Sequence, residues 1–324
     1  MLCISGVAVA QLTKVAGGQL IRHENFSSRF VTPRHVDVWL PENYSPNKKY
    51  TVLYMHDGQM LFDSTLTWNK QEWMADETAA SLIQNKKVKP FIIVGIWNGG
   101  AIRHSEYFPQ KAFEKLPKHQ QDSLYQTFRN NGAGLFAAHV QSDNYLKFLV
   151  EELKPFIDKS YSTYKDAKHT FIAGSSMGGL ISMYAVCEYP DVFGGAACLS
   201  THWPGVFTLD KNPIPAVFFS YLNERLPKPA KNKFYFDYGT ATLDALYPGL
   251  QKQVDEILTR KGYTKKLWIT KAFPGEEHSE RAWQKRLYLP FIFLLNYHET
   301  TLLPVFFLSG FLSNICSKRR YVVD

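Results

Sequence analysis

The chain has few cysteines, and their positions give no reason to pair them. Four occur in 324 residues: Cys3 near the N-terminus, Cys187 and Cys198 in a predicted helix and a predicted strand, and Cys316 in the C-terminal tail. This spacing excludes the disulfide framework of a small secreted domain and leaves the redox compartment open. The sequence also lacks a dense cluster of histidine, cysteine and carboxylate residues with zinc spacing, so no metal is expected.

Long hydrophobic runs and nucleic-acid motifs are absent as well. Residues 302–312 are apolar, but Pro304 and Gly310 interrupt them, and the run is too short to span a bilayer. The formal net charge of +8 includes the basic cluster at 318–320, and the other basic residues are scattered. We therefore expect no nucleic-acid partner and no stable membrane insertion. Residues 298–324 are interpreted as an extension without a catalytic role.

Apolar runs alternate with helical stretches along the chain, and no internal repeat stands out. This order predicts one α/β domain with a mostly parallel sheet covered by helices on both faces. Loops that follow the strands then gather at one end of the domain. The predicted strands are 36–40, 51–55, 91–96, 169–173, 194–199, 234–236 and 267–270, and the predicted helices are 70–84, 139–160, 180–189, 244–261 and 279–296.

A short glycine-rich motif carries the first chemical signal. Residues 174–178 have the sequence Gly-Ser-Ser-Met-Gly, which matches the G-x-S-x-G nucleophile elbow. A predicted strand precedes the motif and a predicted helix follows it, as the elbow requires. The flanking glycines permit a sharp turn, and the turn places Ser176 where a base can take its proton. Ser176 is therefore the candidate nucleophile.

A histidine downstream of Ser176 is needed as the general base. His202, His278 and His298 are the candidates, and His278 has the best context. It lies in a loop that follows a predicted strand and precedes a predicted helix, where an imidazole can approach the serine hydroxyl. The order serine, acid, histidine is that of α/β hydrolases.

Two aspartates are candidates for the acid of the site. Asp237 ends a predicted strand, and Asp244 follows in the loop after it. The acid must reach Nδ1 of His278, which favours a loop residue over a strand residue. Asp244 is preferred, and Asp237 is the alternative.

Five segments together resemble a family of α/β hydrolases. The family is the esterase family that includes esterase D, enterochelin esterases, and feruloyl or acetyl esterases of plant polysaccharides. The resemblance implies an α/β-hydrolase fold, Ser176 as nucleophile, His278 as base and an acid in the Gly-Thr loop. The segments, spread over residues 34–297, are 54–63, 93–100, the elbow, 237–240 and 274–279.

Backbone amides are expected to stabilise the oxyanion that forms on the substrate carbonyl. In this fold one amide belongs to the residue after the nucleophile, here Met177. The other comes from the loop after an early strand, where Gln59 or its immediate neighbour is the candidate and Gly58 permits close approach. Adjacent side chains of an extended chain point to opposite faces, so we expect a positioning or structural role for His56 and Asp57.

The stretch 101–138 breaks the alternation and is predicted to be an insertion over the active site. It is polar and aromatic. Aromatic rings and a few hydrogen-bonding groups at loop ends would suit a sugar or an aryl acyl group. The candidate substrate-binding residues are Trp68, Asn98, Arg103, His202 and Trp203.

The predicted activity is ester hydrolysis through an acyl-enzyme, without a cofactor. The expected partner is a small-molecule or oligosaccharide ester, and an acylated carbohydrate is preferred. A siderophore trilactone esterase, an acyltransferase and a non-catalytic carbohydrate-binding protein with a hydrolase fold are the alternatives. The oligomeric state is left open.

The N-terminus resembles the end of a secretory signal. Residues 2–10 are apolar and end in Ala-Val-Ala, a small-residue cleavage pattern, although a basic n-region is missing. Residues 1–11 are interpreted as a signal remnant, which predicts an exported protein that is periplasmic or secreted. The catalytic domain is expected over 25–297.

Overall fold

The computed structural model describes residues 9–11, 15–129 and 131–296. Residues 1–8 of the predicted signal remnant and the whole predicted extension lie outside these ranges, so the roles assigned to them stay predictions. No helix in the described ranges is long and apolar enough to cross a membrane.

Within the described ranges, nine strands form one sheet in the order β1-β2-β3-β5-β4-β6-β7-β8-β9. The first three strands join the sheet by antiparallel pairing, and β5, β4, β6, β7, β8 and β9 are parallel. The mostly parallel sheet agrees with the prediction. The strands are β1 Val9–Gln11, β2 Gln19–Phe26, β3 Arg34–Leu40, β4 Thr51–His56, β5 Phe91–Ile96, β6 Thr170–Ser175, β7 Gly195–Leu199, β8 Lys233–Gly239 and β9 Trp268–Phe273.

Helices cover both faces of the sheet. Side chains alternate along β4: Val52 and Tyr54 belong to one hydrophobic cluster, and Leu53 and Met55 belong to another. Burying a side chain of this size stabilises the fold by about 1.5–3 kcal/mol. Helices must therefore pack on both faces of the sheet. The helices are α1 Ala75–Gln84, α2 Arg103–Tyr107, α3 Gln110–Phe113, α4 Lys118–Tyr125, α5 Ser142–Lys147, α6 Lys154–Ser160, α7 Met177–Glu188, α8 Ile214–Arg225, α9 Pro248–Arg260, α10 Glu280–Arg286 and α11 Tyr288–Leu295.

Several helix bounds differ from the prediction for local reasons. Helix α1 begins at Ala75 and not at residue 70, because Trp73 N donates to Met60 O at 2.9 Å and Met74 has a left-handed φ of 49°. The predicted helix 244–261 begins only at Pro248, after a 3-10 turn over Thr242–Leu246. Helix α8 and strand β2 were not predicted.

Two long predicted helices are divided in the structure. The segment predicted as 139–160 contains α5 and α6 with a π-helical stretch, Phe148–Leu153, between them. The segment predicted as 279–296 is divided at Leu287 into α10 and α11. In contrast, α7 begins three residues before the predicted residue 180, because the elbow leads directly into the helix.

The predicted insertion is helical and packs on the core. It contains α2, α3 and α4, and Tyr107, Phe108 and Phe113 are buried. The ring of Phe108 lies 5.1 Å from that of Phe218 in α8, measured between centroids. Most of these aromatic side chains therefore contribute to packing and not to an open pocket.

A buried ion pair joins the insertion to the sheet. Nη1 and Nη2 of Arg34 in β3 donate to the two carboxylate oxygens of Glu106 in α2 at 2.9 and 2.6 Å. Both side chains are almost fully buried. A charge left alone at this place would be costly, because a desolvated ion loses its hydration without gaining a partner.

We expect Arg34→Met to lower the free energy of unfolding by about 3–5 kcal/mol, because Glu106 would remain buried without its cation. Urea denaturation would measure the change. The matched control is Arg29→Met, which breaks the exposed pair with Glu152 and should cost less than about 1 kcal/mol. The double variant Arg34→Met/Glu106→Leu should regain part of the loss. Equal losses for Arg34→Met and Arg29→Met would contradict this account.

Candidate active site

The candidate nucleophile lies in a strained turn between β6 and α7. Ser176 has φ 57° and ψ −120°, values that cost a non-glycine residue about 1–3 kcal/mol. The turn closes tightly, since a Cβ on Gly174 would come within 2.7 Å of the backbone carbon of Gly178. Glycine at 174 is therefore required, and Ser176 directly precedes the first turn of α7.

The candidate base and the preferred acid are in direct contact. Nδ1 of His278 lies 2.5 Å from Oδ1 of Asp244, which is fully buried. The second carboxylate oxygen accepts hydrogen bonds from Gly239 N at 2.6 Å and from Ser200 Oγ at 2.5 Å. Burial alone would raise the pKa of Asp244, but the hydrogen bonds from His278, Ser200 and Gly239 outweigh it and lower this pKa. The carboxylate is thus kept ionised next to the imidazole.

The alternative acid occupies a different place. Oδ1 of Asp237 accepts a hydrogen bond from Arg286 Nη2 at 2.9 Å, and its other oxygen accepts one from Tyr235 at 3.0 Å. The same Arg286 nitrogen also donates to Ser200 Oγ at 2.9 Å. The structure therefore brings Asp244 into contact with His278. Asp237 pairs with Arg286 instead.

Tyr247 lies between the candidate nucleophile and two histidines, and the sequence did not indicate it. Its hydroxyl lies 2.9 Å from Nδ1 of His202. Burial raises the pKa of Tyr247 well above its ordinary value, and the nearby Ser176 side chain opposes this shift. The ring centroid of Tyr247 is 5.8 Å from that of His278. Among the described residues, no hydrogen bond joins Ser176 directly to His278. Nothing in the sequence distinguishes Tyr247 from other aromatic residues near a helix start.

The loop predicted to complete the oxyanion site follows β4. Asp57 has a left-handed φ of 57°, and the 3-10 turn Gly58–Met60 follows it. A Cβ on Gly58 would lie 2.6 Å from the backbone carbon of Gly95, so only glycine permits this approach to β5. The side chain of Gln59 accepts a hydrogen bond from Asn98 N at 3.3 Å.

Asp57 is held by two of the predicted substrate-binding residues. Arg103 donates from Nε and Nη2 to its two oxygens at 2.6 and 2.7 Å, and Asn98 Nδ2 donates at 2.7 Å. Burial would raise the pKa of Asp57, but the Arg103 guanidinium and the Asn98 amide lower it. The carboxylate lies near the start of α7, 3.4 Å from where a Cβ on Gly178 would be. Arg103 and Asn98 thus shape this side of the site through Asp57.

His56 and the remaining candidates have distinct surroundings. Nδ1 of His56 lies 2.8 Å from the Tyr145 hydroxyl, and complete burial lowers the His56 pKa to about 3. His202 is buried against Tyr247. Trp203 lies in the core, where Nε1 donates to Gln251 at 2.8 Å, and not at the surface where a pocket-lining residue would be. Trp68 is 83% exposed.

Comparison with known proteins identifies the family of this chain and its fold. The family model described as "Putative esterase" matches residues 27–296. The uncharacterised protein YbbA of Bacillus subtilis is 22% identical over 88% of this chain and 99% of its own length. The ferri-bacillibactin esterase BesA of Bacillus subtilis is 28% identical over 55% of this chain, which spans only 57% of BesA.

A solved structure shows the same fold. The ferulic acid esterase AmCE1/Fae1A of Anaeromyces mucronatus, in complex with ferulic acid, superposes with a TM-score of 0.58. The match covers 89% of this chain and 92% of that protein at 21% identity. The α/β-hydrolase fold expected from the sequence is thereby confirmed.

Burial of His56 predicts a pH dependence of stability. The unfolded histidine has a pKa of about 6.5, whereas the folded His56 has a pKa of about 3. Below pH 6.5 the unfolded chain therefore binds a proton that the folded chain does not, and stability falls as the pH falls towards 3. Replacing His56 by glutamine should reduce the slope of the unfolding free energy against pH by about 1.4 kcal/mol per pH unit.

Urea denaturation between pH 4 and 6.5 would measure the slope. His119→Gln is the matched control, because His119 is exposed on α4. An unchanged slope in His56→Gln would show that His56 is protonated in the folded protein.

Proposed function

Since the chain belongs to the Putative esterase family and is a carboxylic ester hydrolase, we propose that Ser176, His278 and Asp244 form its catalytic triad. The contact of 2.5 Å between His278 and the buried Asp244 carries this proposal. His278, Asp244 and Ser176 all lie near Tyr247, and Ser176 lies in the strained turn. A charged carboxylate, an imidazole and a strained serine at one edge of a sheet are the parts that acyl transfer needs.

The tautomer of His278 follows from its partner. An ionised carboxylate only accepts hydrogen bonds, so Nδ1 of His278 carries a proton and donates a hydrogen bond to Asp244. Nε2 is then an acceptor and can take the proton of the Ser176 hydroxyl. No hydrogen bond joins Ser176 to His278 in the described residues, so this transfer requires the two side chains to approach each other, an adjustment typical of sites that tighten only with substrate bound.

The reaction proceeds in two balanced halves. Ser176 Oγ attacks the ester carbonyl carbon while its proton moves to His278, and the alcohol leaves with that proton. A water molecule then attacks the acyl carbonyl carbon and gives a proton to His278, the bond between that carbon and Ser176 Oγ breaks, and His278 returns the proton to Oγ as the carboxylic acid is released. The backbone amides of Met177 and Gln59 stabilise the oxyanion in both halves, aided by the dipole of α7.

The substrate proposed is an acylated carbohydrate of the feruloyl or acetyl type. Exposed aromatic side chains support this choice, since Trp68 and Phe207 offer flat apolar surfaces for a sugar or an aryl group. The ferulate complex of AmCE1/Fae1A supports it too. A siderophore trilactone is the second candidate, supported by the likeness to BesA.

The wild-type protein should react with a fluorophosphonate probe, whereas Ser176→Ala should not, because the probe modifies only an activated serine. Mass spectrometry of the labelled peptide would identify the site, and Ser175→Ala is the neighbouring control. A non-catalytic binding protein would remain unlabelled. Turnover of feruloyl and acetyl xylo-oligosaccharides, compared with a trilactone, would then rank the two substrates, and turnover of the trilactone alone would reject the carbohydrate proposal.

The choice of acid is tested by two matched variants. Asp244→Asn should lower kcat by about 10³–10⁴-fold with little change in KM, because the amide no longer stabilises the imidazolium or its tautomer. Asp237→Asn should lower kcat, expressed per active site that the probe labels, by less than about tenfold. Asp237 contacts Arg286 and does not contact His278. Steady-state kinetics, normalised by probe labelling, distinguish the two. The reverse order of effects would assign the role to Asp237.

A further inference from the structure

A cation from the insertion lies beside the candidate site. Cζ of Arg129 is 6.0 Å from the ring centroid of Phe207, and the Phe207 ring lies 5.7 Å from that of His202. His202 in turn contacts Tyr247, and Ser176 lies near enough to Tyr247 to affect its pKa. A continuous chain of contacts therefore leads from the nucleophile to Arg129.

The backbone around Arg129 positions this side chain. Arg129 N donates to Ala133 O at 2.8 Å, and Leu135 N donates to Thr127 O at 2.8 Å, so the segment folds back on itself as an antiparallel tip. The guanidinium donates to Leu135 O at 3.3 Å. Arg129 is partly exposed, and its remaining donors are available to a ligand.

Within the part of the chain that the structure describes, the charge of Arg129 has no acidic counterpart nearby. Among the described residues Arg129 forms no ion pair, whereas the positive charge of Arg103 is neutralised by Asp57. Burial and the neighbouring Arg103 lower the pKa of Arg129, and no acid raises it. The carboxylates of the site are already engaged, Asp57 by Arg103 and Asp244 by His278.

The histidines of this region do not add charge. Burial lowers the pKa of His104 to about 3 and that of His202 well below its ordinary value, so both rings are neutral at pH 7. Nε2 of the buried His202 has no hydrogen-bond partner. Three groups thus lie together: the guanidinium of Arg129, which has no ion-pair partner among the described residues, the 46% exposed ring of Phe207 and the neutral imidazole of His202.

We propose that Arg129 and Phe207 form a subsite for an anionic group of the ester substrate, a carboxylate or an ionised phenol next to an apolar or aromatic surface. A planar guanidinium pairs with a carboxylate through two parallel hydrogen bonds, which are stronger than bonds between neutral groups. Phe207 packs against the carbon skeleton that carries the charge. The subsite rests on the proposed function of Ser176 and makes Arg129 a specificity-determining residue.

Two pairs of esters place the charge on either side of the scissile bond. On the acyl side, 4-nitrophenyl hydrogen glutarate is compared with its neutral methyl ester. On the alcohol side, 4-acetoxybenzoate is compared with methyl 4-acetoxybenzoate. For each pair the ratio of kcat/KM between the anionic and the neutral ester is measured, so that changes common to both esters cancel.

In Arg129→Gln this ratio should fall about tenfold in at least one pair, mainly through KM, because a charged contact has been lost. Arg129→Lys should retain most of the ratio. The matched control is Arg260→Gln, which removes the same charge from the exposed end of α9 and should leave both ratios unchanged. Ratios that stay within about twofold of wild type in both pairs, for a folded Arg129→Gln, would overturn the proposal.

A binding measurement separates this proposal from the catalytic one. Titration calorimetry with Ser176→Ala should show that benzoate binds more tightly than benzamide, and that Arg129→Gln in the same background removes the preference. If Ser176 is not the nucleophile, wild type hydrolyses none of the four esters through it, and the calorimetry still decides the role of Arg129. Equal binding of benzoate and benzamide to Ser176→Ala would refute the subsite.

Discussion

The buried carboxylate of Asp244 is the interaction on which the candidate site depends. A desolvated charge at this place would cost several kcal/mol if it were left alone, so every lone pair that faces the protein needs a donor. His278, Gly239 N and Ser200 Oγ provide these donors. Arg286 extends the network by donating to Ser200 and pairing with Asp237. The orientation of the imidazole is thus set by a network that reaches into the core.

The insertion is the second constraint, because it is part of the site's framework. A buried ion pair, Arg34 with Glu106, fastens it to the sheet, and a partly exposed pair, Arg103 with Asp57, fastens it to the loop after β4. Asp57 lies close to the start of α7, so the insertion, the loop after β4 and the elbow are in contact with one another through this side chain. Two charged contacts therefore hold the insertion against the part of the fold that surrounds the candidate site.

Much of the site could be predicted because its signals are local. The elbow needs small residues at fixed positions around Ser176, and the loop with His278 follows a strand, both of which are visible in a few consecutive residues. Other features depend on distant partners. The late start of α1 reflects a backbone bond from Trp73 to Met60, and the burial of Trp203 reflects its bond to Gln251, neither of which has a signal in the neighbouring sequence. Tyr247 could not be predicted for the same reason, because its contacts with His202 and His278 join residues distant along the chain.

The sequence by itself determined the alternation of most strands and helices, the sharp turn at Ser176 and the short list of histidines and aspartates, because these depend on local backbone preferences and hydrophobic periodicity. Only the tertiary structure decided that Asp244 and not Asp237 meets His278, and that Arg103 pairs with Asp57 while Arg129 has no acidic partner within the described ranges. The physical reason is that charge pairing in the interior is set by which residues, distant along the chain, are buried together.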